Sequence, residues 1–408
     1  MYRKMDCRTN KTVIELCAVN PLNRKYFYSQ LEIPASDGAV YDALQKARAV
    51  GRDKEIDISV INSPYLPEFA DTLIDGINIW ELNMLAEKLE ELYRDDYSSL
   101  EKLNALFLYR KEQGFYEDGV SLSEVINMTY GLENIACYSG IENTESLGEM
   151  LIDQRMTDGI VEVTDQNAYY LDKKQIAQTR MSRQKGIFYE GNYYETADFK
   201  MPNVYKPDEQ PKKDYSDLKS AFRLLVMFGN SEEKWINLPT EKRDFENCRC
   251  IGYETAIPQI KSAYFYETEN FTKLNAIAKA FMAMSEKQRL AFKAVLQAEK
   301  ISDLDEVIET AKNVSDYEIE PYAYAEPDFF QSYIMHFLDS RFDTAWLYDT
   351  LSDTADQMLL KKLNAKFSDY GIISARNQPL YCPVPFDDVD EVCEPDCEEV
   401  NKMNLGGC

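Results

Sequence analysis

The sequence contains a single histidine, His336, and no glycine-rich phosphate-binding loop of the Walker or dinucleotide type. No run of about 18 apolar residues occurs, which argues against a membrane-spanning helix. The nine cysteines follow no regular spacing, and the first twelve residues, MYRKMDCRTNKT, have no apolar stretch. A secreted disulfide framework is therefore not expected. These absences predict a cytoplasmic protein with free thiols and no cofactor.

The residues that most often carry chemistry are sparse. His336 could act in a Ser-His or Cys-His arrangement, but it falls in a helical stretch where the first half of the chain has Met150, so we expect a packed histidine. Cys248 and Cys250 alternate in a strand-like stretch and read as small apolar residues. The four tail cysteines lack the paired CxxC spacing of a zinc site, and they are Cys382, Cys393, Cys397 and Cys408. The sequence therefore predicts no metal site, no catalytic constellation and no enzymatic activity.

Bases are scarce relative to acids. The 408 residues include 71 Asp and Glu against 45 Lys and Arg, a formal net charge of −26. Such a surface repels nucleic acid and lipid headgroups and attracts basic clefts, although solubility alone explains it equally well. A hydrophobic content of 45% with 12% aromatic residues is enough to fill two or more domain cores in a chain of this length.

One amphipathic helix occurs twice. Asn78 to Tyr93, NIWELNMLAEKLEELY, recurs at Asn270 to Ser285 as NFTKLNAIAKAFMAMS. In the first copy the buried stripe at helical spacing is Leu82, Leu85, Ala86, Leu89, Leu92 and Tyr93, and the exposed face is Glu81, Glu87, Glu90 and Glu91. Asn78 and Asn270 are the predicted N-caps of the two helices.

Other motifs recur in the same order. The residues 31–34, LEIP, return at 236–239 as INLP, and SLSEVI at 121–126 returns at 303–308 as DLDEVI. This order predicts a tandem duplication of an α+β unit, in which small mixed sheets flank a short helical subdomain. The predicted boundaries are a first unit at 1–195, a linker at 196–219 rich in Pro, Lys and Asp, a diverged second unit at 220–382, and an acidic, disordered tail at 383–408.

Three groups of acids are candidates for a partner-binding surface. The first group is Glu81, Glu87, Glu90, Glu91, Asp95 and Asp96; the second is Glu133, Glu142, Glu145, Glu149 and Asp153; the third is Asp303, Asp305, Glu306 and Glu309, followed by Asp316, Glu318 and Glu320. Neighbouring carboxylates on a helix face lie about 5 to 6 Å apart, comparable with the charge spacing along a nucleic-acid strand. A rigid row of them would fit a cleft built for phosphates, and an ordinary solvated face is the other explanation.

The order of these motifs resembles the ArdA family of antirestriction proteins of conjugative transposons and other mobile genetic elements. The likeness covers about residues 13–190 and, more weakly, 222–381. It is carried by Leu31-Glu32-Ile33-Pro34, Tyr65-Leu66-Pro67, Glu81-Leu82-Asn83, and Tyr170-Leu171-Asp172-Lys173-Lys174 through Ile176-Ala177.

The resemblance implies an elongated α+β protein whose acidic surface mimics bent B-form DNA. Such a protein occupies the DNA-binding groove of a type I restriction-modification enzyme or another DNA-binding protein, and itself binds neither nucleic acid nor membrane. Family members commonly dimerise, so the implied assembly is either a homodimer or a pseudo-dimer of the two units in one chain.

Two departures from the family leave the function open. The unit is duplicated here, and the second copy carries basic residues around its helix, namely Lys273, Lys279, Lys287 and Arg289. The second copy could therefore serve a different partner. The alternative function is that of an acidic scaffold or docking protein that binds a basic protein without mimicking DNA.

Overall fold

The computed structural model describes residues 11–19, 26–51, 56–157, 159–209, 214–215, 217–229, 232–241, 248–321, 360–361 and 364–375. The predictions for His336, for the four tail cysteines and for the acidic tail lie outside these residues. The described part mixes α-helices with small three-stranded sheets, in agreement with the predicted α+β class. Its helices include none that is long and apolar enough to cross a membrane.

The chain divides into two compact units. Unit 1 comprises Met1–Cys17, Tyr28–Ala43 and Ile56–Asp217, and unit 2 comprises Ala18–Phe27, Leu44–Glu55 and Leu218–Cys408.

The elements up to residue 195 begin with a three-stranded sheet. Its strands have the order β2-β1-β3. These first elements are β1 Thr12–Val19, β2 Tyr26–Ile33, α1 Asp37–Lys46, β3 Ile56–Asn62, α2 Pro67–Ala70 and β4 Ile74–Asp75. The next are α3 Ile79–Asp95, α4 Tyr97–Glu112, β5 Val120–Ser121, α5 Leu122–Met128, β6 Ala136–Ser139, α6 Thr144–Asp153, α7 Lys173–Gln184, β7 Gly186–Tyr189 and β8 Asn192–Glu195. Strands β6, β8 and β7 close this part as a second, antiparallel sheet in that order.

The helices and strands of the second half follow one another in a similar order. They are β9 Phe222–Phe228, β10 Glu233–Leu238, β11 Cys248–Thr255, α8 Ala263–Tyr266, α9 Phe271–Ala283, α10 Glu286–Ala298, α11 Leu304–Lys312, β12 Tyr317–Glu320, β13 Lys366–Ser368 and β14 Gly371–Ala375. The first sheet has the order β10-β9-β11 and the second β12-β14-β13, all antiparallel. Cys248 and Cys250 are buried in β11, as expected for small apolar residues.

Helix α3 shows where the periodic pattern succeeds and where it fails. Leu82, Leu85, Ala86 and Leu89 are buried, so the stripe is confirmed over its first three turns. Asn78 caps the helix as predicted, because its Oδ1 accepts the N–H of Glu81 at 2.9 Å. Tyr93 was predicted to be buried, which is wrong: its side chain is 45% exposed and packs against Tyr65 and Tyr97.

The predicted cap of the second copy is also wrong. A 3-10 turn at Thr268–Asn270 runs directly into α9, so the backbone at Asn270 is already helical. Its side chain cannot then reach back to a free N–H of the first turn, and Asn270 instead donates from Nδ2 to Oε2 of Glu267 at 2.6 Å.

One asparagine in each unit clamps the backbone beyond the LEIP or INLP strand. In unit 1 Oδ1 of Asn83 accepts the N–H of Ala35, and its Nδ2 donates to the carbonyl oxygen of the same residue at 3.1 Å. In unit 2 Asn275 makes the same two bonds to Thr240, at 2.8 and 2.9 Å. Both strands end at a cis X-Pro bond, Ile33-Pro34 and Leu238-Pro239.

The stretch that composition predicts as a linker is partly packed on unit 1. Tyr205 is buried, and its hydroxyl donates to Oε1 of Glu81 at 2.9 Å. The amide of Asn127, in α5, binds the backbone of Val204 and Tyr205 through three hydrogen bonds of 2.8 to 2.9 Å. An ordered segment therefore follows β8 for at least this distance.

Helices α6 and α7 pack closely over one small core. Gly148 permits this packing, since a Cβ at this position would lie only 2.0 Å from the carbonyl oxygen of Lys173. The apolar side of α6 contributes Leu147, Leu151 and Ile152 to the core, against Ile176 of α7. Because the apolar side faces inward, the acids of α6 face solvent.

Candidate acidic interaction surface

The clearest row of acids lies on α6. Asn143 begins this helix with a reciprocal capping box, accepting the N–H of Ser146 at 3.0 Å while the Ser146 hydroxyl accepts the N–H of Asn143 at 3.2 Å. We define the α6 face as Glu142, Glu145, Glu149 and Asp153, all of which are exposed. Glu142 precedes the N-cap Asn143, whereas Glu145, Glu149 and Asp153 belong to the helix, and their spacing of four residues places them on one side of it.

The dimensions of the α6 face are comparable with those of a DNA strand. Glu145 to Asp153 covers about 12 Å along the helix axis at a rise of about 1.5 Å per residue, with three carboxylates over that length. One DNA strand carries a charge about every 3.4 Å, so about three or four phosphates cover the same distance. The surrounding sequence, residues 133–172, has nine acids and one base.

Two lysines of α7 compensate part of this charge. Lys173 Nζ lies 2.9 Å from Oε1 of Glu149, and this hydrogen bond raises the pKa of the lysine. Lys174 Nζ lies 3.9 Å from Oε2 of Glu145. Exposed pairs of this kind stabilise the fold little and are weakened by salt. The face has four carboxylates against these two lysines, so it keeps a net negative charge.

The acids at the junction of α3 and α4 have mixed roles. Glu87, Glu91, Asp95 and Asp96 are exposed and Glu90 is half-buried. Lys88 and Arg94 pair with Glu91 at 3.0 Å and with Asp95 at 2.8 Å. Asp96 caps α4 by accepting the N–H of Ser99 at 3.2 Å, and hydrogen bonds from Ser99 lower the pKa of its carboxyl. These acids are therefore partly engaged inside unit 1.

Glu81 does not belong to an exposed surface, which corrects the sequence prediction. Its side chain is only 8% exposed and accepts hydrogen bonds from the Tyr205 hydroxyl and from Asn78 Nδ2. Helical periodicity placed it opposite the leucine stripe, but the segment after β8 returns over that side of α3 and covers it. Glu81 therefore has a structural role.

The third group of acids lies on and after α11. Asp303 caps the helix by accepting the N–H of Asp305 at 2.9 Å and of Glu306 at 3.3 Å. Asp303, Asp305, Glu306 and Glu309 are all exposed, and Lys273 pairs with Asp305 at 2.7 Å. The extension of this group into β12 is wrong, because Glu320 is buried and Glu318 is half-buried.

Glu133, from the second group, is exposed in a 3-10 turn, Leu132–Asn134, before β6.

Among the bases of the second copy, Lys279 and Lys287 are exposed on α9 and α10. Arg289 bonds instead to the carbonyl oxygens of Phe281 and Met282 at the end of α9, at 3.2 and 3.1 Å. Two of the four bases are thus available at the surface.

Sequence reasoning missed a groove in unit 1. It is open to solvent and has a volume of about 490 Å³, and its lining is Pro64, Tyr65, Pro67, Tyr93, Tyr97, Leu100, Glu101, Asn104, Tyr189 and Glu190. The only sequence signal was the density of tyrosine near residues 65, 93 and 97. Tyr189 comes from a hairpin about ninety residues later, which no local pattern connects to the others.

Within the described ranges no group of three or more His, Cys, Asp or Glu side chains is arranged to hold a metal ion. The acids are thus spread along helix faces and not gathered around one point.

The comparison with protein-family models finds no matching family, and the comparison with curated proteins finds no matching relative. The described fold and surface define an acidic α+β protein, and the resemblance to the ArdA family stays a prediction.

Proposed function

We propose that this protein is a non-enzymatic, cytoplasmic DNA mimic that inhibits a DNA-binding enzyme of host defence. The partner we propose is a type I restriction-modification complex, whose DNA-binding groove the acidic surface would occupy. The observation that carries the proposal is the α6 face, a row of exposed carboxylates on a rigid helix whose opposite side is anchored in a core. The net charge of −26 supports it.

We further propose that the chain is a tandem duplication of one ArdA-like unit. The paired clamps of Asn83 and Asn275 support this, because each bonds to both backbone groups of one residue just beyond a matching strand. The two pairs of sheets have corresponding strand orders as well. Two units in one chain would take the place of the dimer that the family resemblance implies.

The test is competition with duplex DNA for a purified type I methyltransferase. We expect the full-length protein to displace labelled DNA at low salt and to do so less well as ionic strength rises, since mobile ions screen the charged interface. Failure to displace DNA at low salt would refute the proposed function.

A matched pair of variants separates geometry from net charge. The first variant neutralises the α6 face through Glu142→Gln, Glu145→Gln, Glu149→Gln and Asp153→Asn. The control removes four other exposed acids of unit 1 through Asp71→Asn, Glu112→Gln, Glu117→Gln and Asp118→Asn. We expect inhibition to weaken by about tenfold or more in the first variant and far less in the control. Equal weakening in both would mean that total charge, and not the row on α6, determines the effect.

The second candidate function is an acidic docking protein for a basic partner that does not bind DNA. The tyrosine-lined groove favours this candidate. A groove of this kind can receive single side chains of a partner protein, whereas a surface that imitates the DNA backbone needs only a continuous row of negative charges. A pull-down from host lysate that returns only basic partners that do not bind DNA, together with no inhibition of the methyltransferase, would favour this candidate over mimicry.

A further inference from the structure

The groove lies in unit 1 where three parts of the fold meet. The turn before α2 supplies Tyr65, the α3–α4 junction supplies Tyr93 and Tyr97, and the β7–β8 hairpin supplies Tyr189 and Glu190. Its volume of about 490 Å³ falls within the range of roughly 300 to 1,000 Å³ that is typical of ligand clefts.

The tyrosines form a connected aromatic wall. The ring centroids of Tyr65 and Tyr93 are 4.8 Å apart, and those of Tyr93 and Tyr97 are 5.9 Å apart in an edge-on arrangement. Tyr97 is 55% exposed, so its ring is accessible from solvent. The face of an aromatic ring is electron-rich and attracts cations.

The wall is held in place by a buried amide. Asn104 of α4 donates from Nδ2 to the carbonyl oxygen of Tyr65 at 2.9 Å and to that of Leu100 at the same distance. The residue that carries the first ring is therefore tied to the helix that carries Glu101. A site formed in advance binds more tightly, because less conformational entropy is lost on binding.

The polar part of the groove is negative. Glu101 and Glu190 line it, and the lining includes no lysine or arginine. Burial, followed by the charges of Glu190 and Glu101 among others, raises the pKa of Tyr189 to about 12. Glu68 lies nearby and is partly neutralised by Lys111, whose Nζ is 2.7 Å from its Oε2.

The same chain uses this combination of groups to hold its own arginines. Arg223 lies over the ring of Trp235, 4.7 Å from its centroid, and pairs with Glu254 at 2.7 Å. Arg110 pairs with Glu124 at 2.6 Å and stacks on a phenylalanine ring at 4.6 Å. An aromatic face beside a carboxylate is thus an arrangement that binds guanidinium groups within this fold.

We propose that the groove binds an arginine side chain of a basic protein partner, with the guanidinium against the tyrosine rings and paired with Glu101 or Glu190. Arginine fits better than lysine, because its guanidinium is planar, stacks on aromatic rings and is less strongly hydrated than an ammonium group. Nucleic acid is excluded as the occupant, since the carboxylates repel its phosphates. The inference rests on the proposed function only in that the partner would be a DNA-binding protein; arginine recognition itself does not depend on it.

The test uses the full-length protein labelled with 3-fluorotyrosine and a blocked Gly-Arg-Gly peptide as probe. Peptides with citrulline or lysine in place of arginine serve as comparisons, since citrulline has nearly the same shape without the charge. We expect fluorine resonances of the groove tyrosines to shift saturably with the arginine peptide. Citrulline should bind at least about tenfold more weakly, and lysine should fall between the two.

Two groove variants keep the test independent of folding. Glu101→Gln combined with Glu190→Gln preserves side-chain volume, and Tyr97→Leu removes one exposed ring. We expect each to weaken arginine binding by about fivefold or more. The control is Tyr170→Leu, an exposed tyrosine of unit 1 that does not line the groove.

The proposal is overturned by the absence of a saturable shift, by equal binding of the citrulline peptide, or by an equal effect of Tyr170→Leu. Methyltransferase inhibition is measured separately on the parent protein. Arginine binding without inhibition would leave the groove assignment standing and refute the proposed function. Inhibition without arginine binding would refute the groove assignment and leave the proposed function standing.

Discussion

Replacing Asn127 by alanine tests whether one buried side chain holds the segment that follows β8. Oδ1 of Asn127 accepts the N–H of Val204 at 2.9 Å and that of Tyr205 at 2.8 Å, and Nδ2 donates to the carbonyl oxygen of Tyr205 at 2.9 Å. Alanine removes all three bonds and is a better helix former than asparagine, so any loss of stability reports on the clamp.

The magnitude follows from the burial of the two clamped residues. A hydrogen bond contributes about 0.5 to 1.5 kcal/mol net, and a buried group left without a partner costs more. Val204 is exposed, so water replaces its bond, whereas both bonds to the buried Tyr205 are lost in full. We expect the free energy of unfolding of unit 1 to fall by about 2 to 3 kcal/mol. For a unit of about 200 residues this lowers Tm by about 4 to 12 °C.

The assay is urea denaturation combined with hydrogen-deuterium exchange of peptides that cover residues 199–209. The amides of Val204 and Tyr205 should lose protection in Asn127→Ala. Asn134→Ala is the matched control, because Asn134 is exposed and its Nδ2 bonds only locally, to the Gly131 carbonyl oxygen at 3.2 Å and to its neighbour Glu133. We expect the control to stay within about 0.5 kcal/mol of the parent protein.

Unchanged urea midpoints together with unchanged protection at residues 204 and 205 would refute the reasoning. The segment would then be held by other contacts, and the three bonds would contribute nothing that water does not also supply.

Three further predictions concern stability. Arg180→Ala should cost about 3 to 5 kcal/mol in urea denaturation, since it leaves Glu195 buried without the cation that contacts it at 2.6 and 2.8 Å; joint replacement of both residues by Met and Leu should recover most of the loss. Asn83→Ala and Asn275→Ala should each destabilise the protein by about 1 to 3 kcal/mol, and effects that differ by more than this range would argue against equivalent clamps. Burial and Glu190 raise the pKa of Tyr189 from 10.0 to about 12, so the folded state holds this proton more tightly. The protonated hydroxyl of Tyr189 therefore makes its full contribution to stability below pH 10, and this contribution is lost as the pH rises through 12. Denaturation of Tyr189→Phe at a series of fixed pH values tests this direction. We expect the free energy of unfolding to fall less steeply between pH 10 and pH 12 in the variant than in the parent protein.

The regular elements were predictable because their signals are local. The spacing of Leu122, Val125 and Ile126 predicts a helix at 121–129, and the structure has α5 at Leu122–Met128 with Ser121 as its cap. The stretch Tyr26 to Ile33, which Pro34 stops, is typical of a strand, and β2 has the same bounds. Capping and periodicity act over one or two turns or a single strand, which is the distance that sequence reasoning covers.

The failures at Glu81 and Tyr93 share one cause, which is that another part of the chain changed the surroundings of the residue. Glu81 is polar and lies opposite the stripe, yet the returning segment with Tyr205 buries it. Tyr93 is apolar and at stripe spacing, yet it reaches the end of α3, where Tyr65 and Tyr97 form a groove that is open to solvent. No local pattern contains the contact of Glu81 with Tyr205 or that of Tyr93 with Tyr65, because these partners are distant in sequence.

The sequence by itself determined the acidic character of the protein, the helices and strands, and the α6 acids that share one exposed face, since composition and short-range spacing are sufficient for these. Only the tertiary structure decided which acids are surface groups and which are structural, and which tyrosines meet in a groove. Burial and long-range contacts arise when segments far apart in the chain pack together, and that packing depends on the whole fold.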